Sequence, residues 1–436
     1  MNTGSLCPRR KGQGLARLIV LEAGPGGYRI RNGMVQDGIR GQERLVQQGQ
    51  GDNQMTTNRL VPAADFPASQ KWTYLNAASV ALMSVPAAEA TIAWQRDLAD
   101  NGTLNFDEVA EERVFDDLRV ASALLLGARD EDIAVGSSAT ELLSSLAWAM
   151  LPRPDQVIVG TETAFPSTIY PWQRIARHVG CEVRLARTGN RGLVDPEELL
   201  HLVDERTAIV ALSHVEYRTG QMYDLAALAK KAHEHGALVV VDATQSLGQV
   251  PIDVEKEGVD ALVCSGYKWL CGPFGAAIMY LAPALQRTLD PGMVGWRSHK
   301  QIWELRADRY EFPNNARRFE ASTMAYGCAI GLARAVEYLN AVGIERIYAH
   351  NLALVDMLAS ELRGRGGQVQ LPKDEAGRSS ILSVAFPGQD PGQIAARLGE
   401  ANVIVSVRDS IRISPHLYND EEDVDGLVQA LDKVIG

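Results

Sequence analysis

The sequence predicts an α/β protein: a mainly parallel seven-stranded sheet between helices, followed by a smaller α+β unit. Two observations predict the sheet. Seven short apolar runs lie between residues 131 and 281, most of them apolar throughout, as strands buried on both faces of a parallel sheet are. Amphipathic stretches with breakers at their ends separate them. A third observation, the changed order of elements after residue 323, predicts the second unit.

The first 60 residues stand apart. Residues 1–54 carry more Lys and Arg than Asp and Glu, whereas the whole chain has a net charge of −11. RLIVLEAGPGG is too short and too interrupted for a secretory apolar segment, and GQERLVQQGQGDNQ is polar and Gln/Gly-rich. Residues 1–60 are expected to lie outside the fold, as a disordered arm or as sequence preceding a true start at Met55.

From about residue 72 the pattern changes. EDIAVG leads into a helix from Thr140, and QVIVG into one from about Pro166. CEVRLA, TAIVALS, ALVVVDA, ALVCS and AAIMYL supply the remaining strands. In DLAALAKKAHEHGALVV an apolar stripe ends in Lys and His, and Gly236 stops the helix before the next strand. Residues 72–322 therefore form a large domain with ligand sites at the carboxyl ends of its strands, residues 72–100 being free to pack on the small domain. The segment from about 283 to 322, with Trp296, Trp303 and PNNARR, reads as a loop-rich crossing. Residues 323–436 form the small domain: the helices MAYGCAIGLARAVEYLNAVG and ERIYAHNLALVDMLASELR, the strand SILSVAF, the helix PGQIAARLGEA, the strands NVIVSV and IRIS, and a last helix opening at Asn419–Asp420.

Composition narrows the function. The 436 residues are 46% hydrophobic and 22% charged, as in ordinary globular proteins. The acidic balance counts against nucleic acid or an anionic membrane as the main partner. Cys7, Cys181, Cys264, Cys271 and Cys328 are odd in number and form no CxxC pair, so a reduced, cytoplasmic protein without structural zinc is expected. No apolar run approaches the ~20 residues of a membrane helix.

The densest chemical signal is LVVVDATQSLGQVPIDVEKEGVDALVCSGYKWLCGPFG. Asp242 ends an apolar strand, Gln245 follows three residues later, and Lys268 comes 26 residues after Asp242, just past the strand ALVCS. An acid and an amine thus emerge at one edge of a sheet. A pyridoxal 5′-phosphate (PLP) site needs both: the lysine forms the Schiff base, and the carboxylate keeps the pyridine nitrogen protonated. A desolvated lysine also loses its proton more easily, which frees the amine for attack. A lone lysine is ordinarily a solvated surface residue, but Lys268 sits between Tyr267, Trp269, Leu270 and a Gly-Pro-Phe-Gly turn. No GxGxxG or GxxxxGK[ST] element supports the competing reading, a nucleotide-binding α/β protein.

VVVDATQS…SGYKWLCGPFG resembles the signature of the class V aminotransferase family, fold type I PLP enzymes that include cysteine desulfurases, selenocysteine lyases, isopenicillin-N epimerases and kynureninases. The resemblance runs from about Tyr74 to the C-terminus. It implies that Ala139 and Thr140, in GSSATELLSSL, hold the cofactor phosphate; a helix N-terminus suits an anion, although Thr140 as a simple N-cap is the alternative. It implies that Phe165 stacks on the pyridine ring, with a core Phe as the alternative. Gln245 would bond the phenolic oxygen, and Ser265 and Tyr267 would bind phosphate. Thr323, in RFEASTMAY, would reach the phosphate of a partner subunit, which makes the expected protein a homodimer with shared active sites. In IRISPHLYNDEED, Arg412 would clamp the substrate α-carboxylate, a bond contributing about 1.5–3 kcal/mol. Arg408 competes for that role, and Asn76 in YLNAAS would assist.

The reaction is less legible. Persulfide-forming desulfurases carry a nucleophilic Cys on a loop before the Arg412 segment, and VIVSVRDSIRIS has none. SHVEYRTGQMYDL instead resembles kynureninases and related lyases. GWRSH resembles a kynureninase Trp segment, with Arg297 where a second aromatic is common. The expected activity is a lyase acting on a C–S or C–C bond of an α-amino acid without a persulfide cysteine; a transaminase or epimerase on the same cofactor is the alternative. Lys268 is the expected base at the α-carbon.

Overall fold

The computed structural model describes residues 20–24, 27–31, 58–189, 192–372 and 374–435. Met1–Met55 and Thr56–Gly436 are separate units. In the first, Val20–Gly24 pairs antiparallel with Gly27–Arg31, a hairpin that sequence reading did not assign. The rest of the expected arm up to residue 57 lies outside the described residues.

The second unit is built on seven strands: β1 (Ile133–Gly136), β2 (Val157–Thr161), β3 (Glu182–Ala186), β4 (Thr207–Ser213), β5 (Leu238–Asp242), β6 (Ala261–Ser265) and β7 (Ala277–Leu281). All seven fall on the apolar runs. Their order is β1-β7-β6-β5-β4-β2-β3, with β7 antiparallel to both neighbours and the other pairs parallel. Alternate residues enter opposite cores. Val157, Val159, Val239, Val241 and Leu262 join one, and Ile158, Val240 and Val263 the other. A period of two with both faces apolar gives the unbroken hydrophobic runs of the sequence.

Helices cover both faces. α1 (Val85–Asn101), α2 (Glu108–Arg113) and α3 (Asp116–Leu126) precede the sheet, and sequence reading had assigned none of them. α4 (Ala139–Ala149) follows β1, α5 (Pro166–Val179) follows β2, α6 (Pro196–His201) follows β3 and α7 (Leu225–Glu234) follows β4. α7 ends as expected, with Gly236 at φ +72° just past it. α8 (Tyr326–Val342) packs on α1 and α3. Gly331 permits that approach, because a Cβ there would come within 2.1 Å of Thr91 Oγ1.

The C-terminal part has its own antiparallel sheet. Its strands are β8 (Gln368–Gln370), β9 (Leu382–Ala385), β10 (Ser406–Val407) and β11 (Ile411–Ile413), in the order β8-β9-β11-β10. Leu354, Leu358 and Leu362 of α9 (Ile344–Gly364), Ile394 and Leu398 of α10 (Pro391–Glu400), and Val424, Leu427 and Leu431 of α11 (Glu421–Ile435) share its core. The single strand expected over NVIVSV is two: Val403–Ile404 pairs parallel with Thr73–Tyr74, and Ser406–Val407 pairs with β11. One apolar run serves two sheets, which its pattern alone does not show.

Candidate active site

The carboxyl ends of β1, β4, β5 and β6 face one cavity. Ala139, Thr140, Phe165, Ser167, Ser213, Val215, Asp242, Thr244, Gln245, Ser265, Tyr267 and Lys268 line it. Eight of these were singled out from sequence. Ser167, Ser213, Val215 and Thr244 were missed, although Ser213 and Thr244 lie at strand ends on the same edge as Asp242, where the fold class places ligands.

Lys268 is 9% exposed. Burial pulls its pKa down to about 8; Asp242 opposes that shift, and the charges of Arg412 and Arg408 add to it. Its Nζ lies 5.5 Å from the Phe165 ring centroid and 5.8 Å from that of Tyr267. No hydrogen bond holds Nζ among the described residues, so the amine is free to react.

Asp242 is fixed from two sides. Thr168 Oγ1 donates to Oδ2 (2.8 Å) and the Thr244 N–H to Oδ1 (3.0 Å). Thr168, on the first turn of α5, was not singled out; its only sequence signal is its place after the β2 strand end. Gln245 Oε1 accepts from Trp269 Nε1 (2.9 Å), and Nε2 donates to Ala78 O (2.9 Å), which leaves one amide hydrogen for a ligand.

The other end of the cavity is the N-terminus of α4. Ser138 is the N-cap, its side chain accepting from Glu141 N (3.1 Å), so the capping alternative for Thr140 is set aside. Thr140 Oγ1 donates to Ser167 Oγ (2.9 Å), and the Thr140 N–H has no protein partner among the described residues. Ala139 N–H donates to Ser265 Oγ (3.2 Å), which joins β6 to the helix start. A free first-turn N–H, hydroxyls and the positive end of a helix form an anion cradle. Tyr267 stacks on Phe274 at 4.4 Å. Phe165 is 43% exposed and meets Tyr217 edge-on at 5.3 Å, so the core alternative does not hold for it.

Arg412 and Asn76 stand just outside the cavity lining. Arg412 is 1% exposed, yet among the described residues no carboxylate pairs with it. Its guanidinium donates to Ser406 Oγ (3.0 Å), Tyr217 O (2.6 Å) and Ser79 Oγ (2.5 Å). Burial and the charge of Arg408 disfavour its cationic form, so an arriving anion relieves it. Arg408 is exposed on the β10–β11 turn, its Nη1 bonded to Val407 O. Asn76 Oδ1 is buried without a partner. Tyr217, whose carbonyl supports Arg412, sits on the Val215–Met222 hairpin above Glu216. Burial lifts that carboxyl to about 6, and Thr161 and Tyr223 donate to it.

Two candidates are elsewhere in this chain. Thr323 is exposed and accepts from Trp296 Nε1 (3.2 Å). Arg297 is buried against the rings of Phe115, Trp296 and Tyr326, with Nη1 on Glu111 O, and does not face the cavity.

A paired acid and desolvated lysine at one sheet edge, opposite an anion cradle, define an enzyme of the PLP-binding type. Residues 74–427 match the family described as aminotransferase class-V. The chain belongs to that family, and with it to the PLP-dependent enzymes of fold type I that act on amino acids. A relative named "Probable cysteine desulfurase" from Methanothermobacter thermautotrophicus is 27% identical, covering 85% of this chain and 97% of its own. The Bacillus subtilis "Uncharacterized aminotransferase YcbU" is 29% identical over 82% of this chain and 93% of its own. Among solved structures, the apo cysteine desulfurase of Thermococcus onnurineus NA1 superimposes with a TM-score of 0.77 at 25% identity, covering 85% of this chain and 97% of its own. A complex of the cystine C–S lyase C-DES with cysteine persulfide gives 0.78 at 24%, covering 85% and 99%.

Proposed function

We propose that the protein is a lyase that cleaves a C–S or C–C bond at the β-position of an α-amino acid, without a persulfide on a cysteine of its own. The observation that carries this reading is a buried Arg412, paired with no carboxylate among the described residues, beside a lysine-and-aspartate cavity that no described thiol lines. Cys264 and Cys271 are buried with their thiols pushed up, and Cys181 and Cys328 lie elsewhere. The β10–β11 turn offers only Arg408, Asp409 and Ser410. C–S chemistry is supported by the relatives named cysteine desulfurase, and transamination, the second reading, by the relative named aminotransferase.

Bound here, PLP supplies an electrophilic carbon and an electron-withdrawing ring. Lys268 holds it covalently and moves the proton at the substrate α-carbon. Asp242 holds a proton on the ring nitrogen, Gln245 donates to the phenolic oxygen, and Phe165 covers the ring. Ala139, Thr140, Ser265 and Tyr267 hold the phosphate. Arg412 takes the α-carboxylate in a bidentate grip with help from Asn76. Thr323 serves the site of a second subunit in a homodimer, a role supported by its exposure and its absence from the lining of this chain's cavity. A reducing, cytoplasmic setting is supported by four described cysteines with no disulfide among them.

The deciding experiment offers candidate amino acids to the purified enzyme and follows product mass. Pyruvate or alanine release supports a lyase. Dependence on an added keto acid, or α-hydrogen exchange with inversion, overturns it. Arg412→Lys should lower kcat/KM roughly 10- to 150-fold, since a lysine keeps the charge and loses the fork. Equal kcat/KM for wild type and variant would remove Arg412 from the site. Covalent uptake of PLP by apo protein should accelerate with pH up to about 8 and then level, because that is where Lys268 becomes neutral. A rate still climbing near pH 10 would show a lysine with its ordinary value.

A further inference from the structure

We propose that His416 is a positioning residue: its Nε2–H, donated to the Trp269 carbonyl, ties the chain that carries Arg412 to the peptide that follows Lys268. This rests on the roles proposed for those two residues. His416 is fully buried, with Nε2 3.0 Å from Trp269 O. A carbonyl only accepts, so Nε2 carries the hydrogen. Nδ1 then accepts from Asn351 Nδ2 on α9 (3.3 Å). Both ring nitrogens are used, in opposite senses, by the neutral ring. Burial keeps it neutral, drawing its pKa down to about 3.

The two ends of this link are themselves fixed. On one side the Trp269 carbonyl lies tightly against the Gly248 backbone, where a Cβ would come within 2.4 Å of it. The Trp269 indole donates to Gln245, and its ring meets His416 edge-on at 5.0 Å. On the other side, Ser414 lies between Arg412 and His416. Its N–H donates to Leu75 O, its carbonyl accepts from Ala77 N, and its Oγ accepts from Ala78 N. Ala78 O in turn accepts from Gln245. Lysine loop, Gln245 and Arg412 strand thus close a ring of bonds in which His416 is the direct tie. An apolar residue would fill the same space without carrying that bond.

The test compares H416F, which keeps a ring and loses the donor, with H416Q, which keeps a donor at similar reach. In H416F, kcat per bound cofactor should fall on the order of 10- to 100-fold, as for a misplaced reacting group, with the KM for the amino acid within about twofold. H416Q should recover most of the loss. The pH titration of the bound cofactor's absorbance should shift in H416F and match wild type in H416Q. Equal losses in both variants, or a loss that only follows the fraction of bound cofactor, overturn the proposal. Should H416F not fold, ¹⁵N NMR of the wild-type histidines decides: a neutral Nε2–H tautomer at pH 5–8 supports the tie, and an Nδ1–H or protonated ring refutes it. Wild-type protein that takes no cofactor at Lys268 would instead count against the proposed function.

Discussion

Lys268→Ala is expected to leave a folded protein that holds PLP without a covalent bond and turns over roughly 10²–10⁴-fold more slowly, the usual contribution of a positioned proton-transferring group. Borohydride reduction followed by peptide mass spectrometry should find the cofactor on the Lys268 peptide of wild type and on no peptide of the variant. Stability should not suffer. Lys268 makes no hydrogen bond among the described residues, and its lowered pKa shows that burial penalises its charge. Removing it deletes a cost, so the apo variant should melt at or above the wild-type temperature. Loss of activity with a large drop in melting temperature would mean that Lys268 is a packing residue. Persistent labelling in the variant would place the cofactor on another amine.

The fold was legible where burial is symmetric. Every strand of the main sheet except the edge strand β3, which carries Glu182 and Arg184, is apolar on both faces, so its run stands out against the amphipathic helices, and all seven were assigned. α1 to α3 were not. α1 buries only Ala87 fully, and Ile92 and Leu98 are substantially exposed, so its apolar stripe is faint. Short strands in the C-terminal sheet, such as Gln368–Gln370, are polar and half-exposed, and pairing rather than pattern makes them strands. The site was legible for the same reason as the sheet: Asp242, Gln245, Ser265 and Lys268 follow strand ends on one edge. Thr168, Ser79 and His416 were not. Each acts on a residue from a distant segment, Thr168 on Asp242, Ser79 on Arg412 and His416 on Trp269. A contact across 333 positions leaves no local signature.

Glu320→Ala is expected to cost about 3–5 kcal/mol, as removal of one partner from a buried ion pair does. The Glu320 carboxylate receives Arg119 Nε (2.9 Å) and Nη2 (2.7 Å), and also the Val135 N–H (3.2 Å). The side chains of Arg119 and Glu320 are 4% and 3% exposed. Without Glu320 the guanidinium keeps only Asp116, which is 49% exposed and screened by water, and a β1 amide loses its acceptor. The penalty therefore comes from stranded groups more than from lost attraction. The same stranding sets the outcome of a second variant. Arg119→Met combined with Glu320→Leu removes both charges and leaves only the amide stranded, so it should be clearly more stable than Glu320→Ala alone. Urea midpoints of the apo proteins measure both. A Glu320→Ala midpoint equal to wild type would show the pair to be dispensable, and a double variant weaker than the single one would show that the attraction itself dominates. Because Glu320 lies three residues before Thr323 and anchors that segment to α3 and β1, Glu320→Ala should also loosen the segment proposed to serve a second subunit. Dimer dissociation at a higher protein concentration than for wild type would register this.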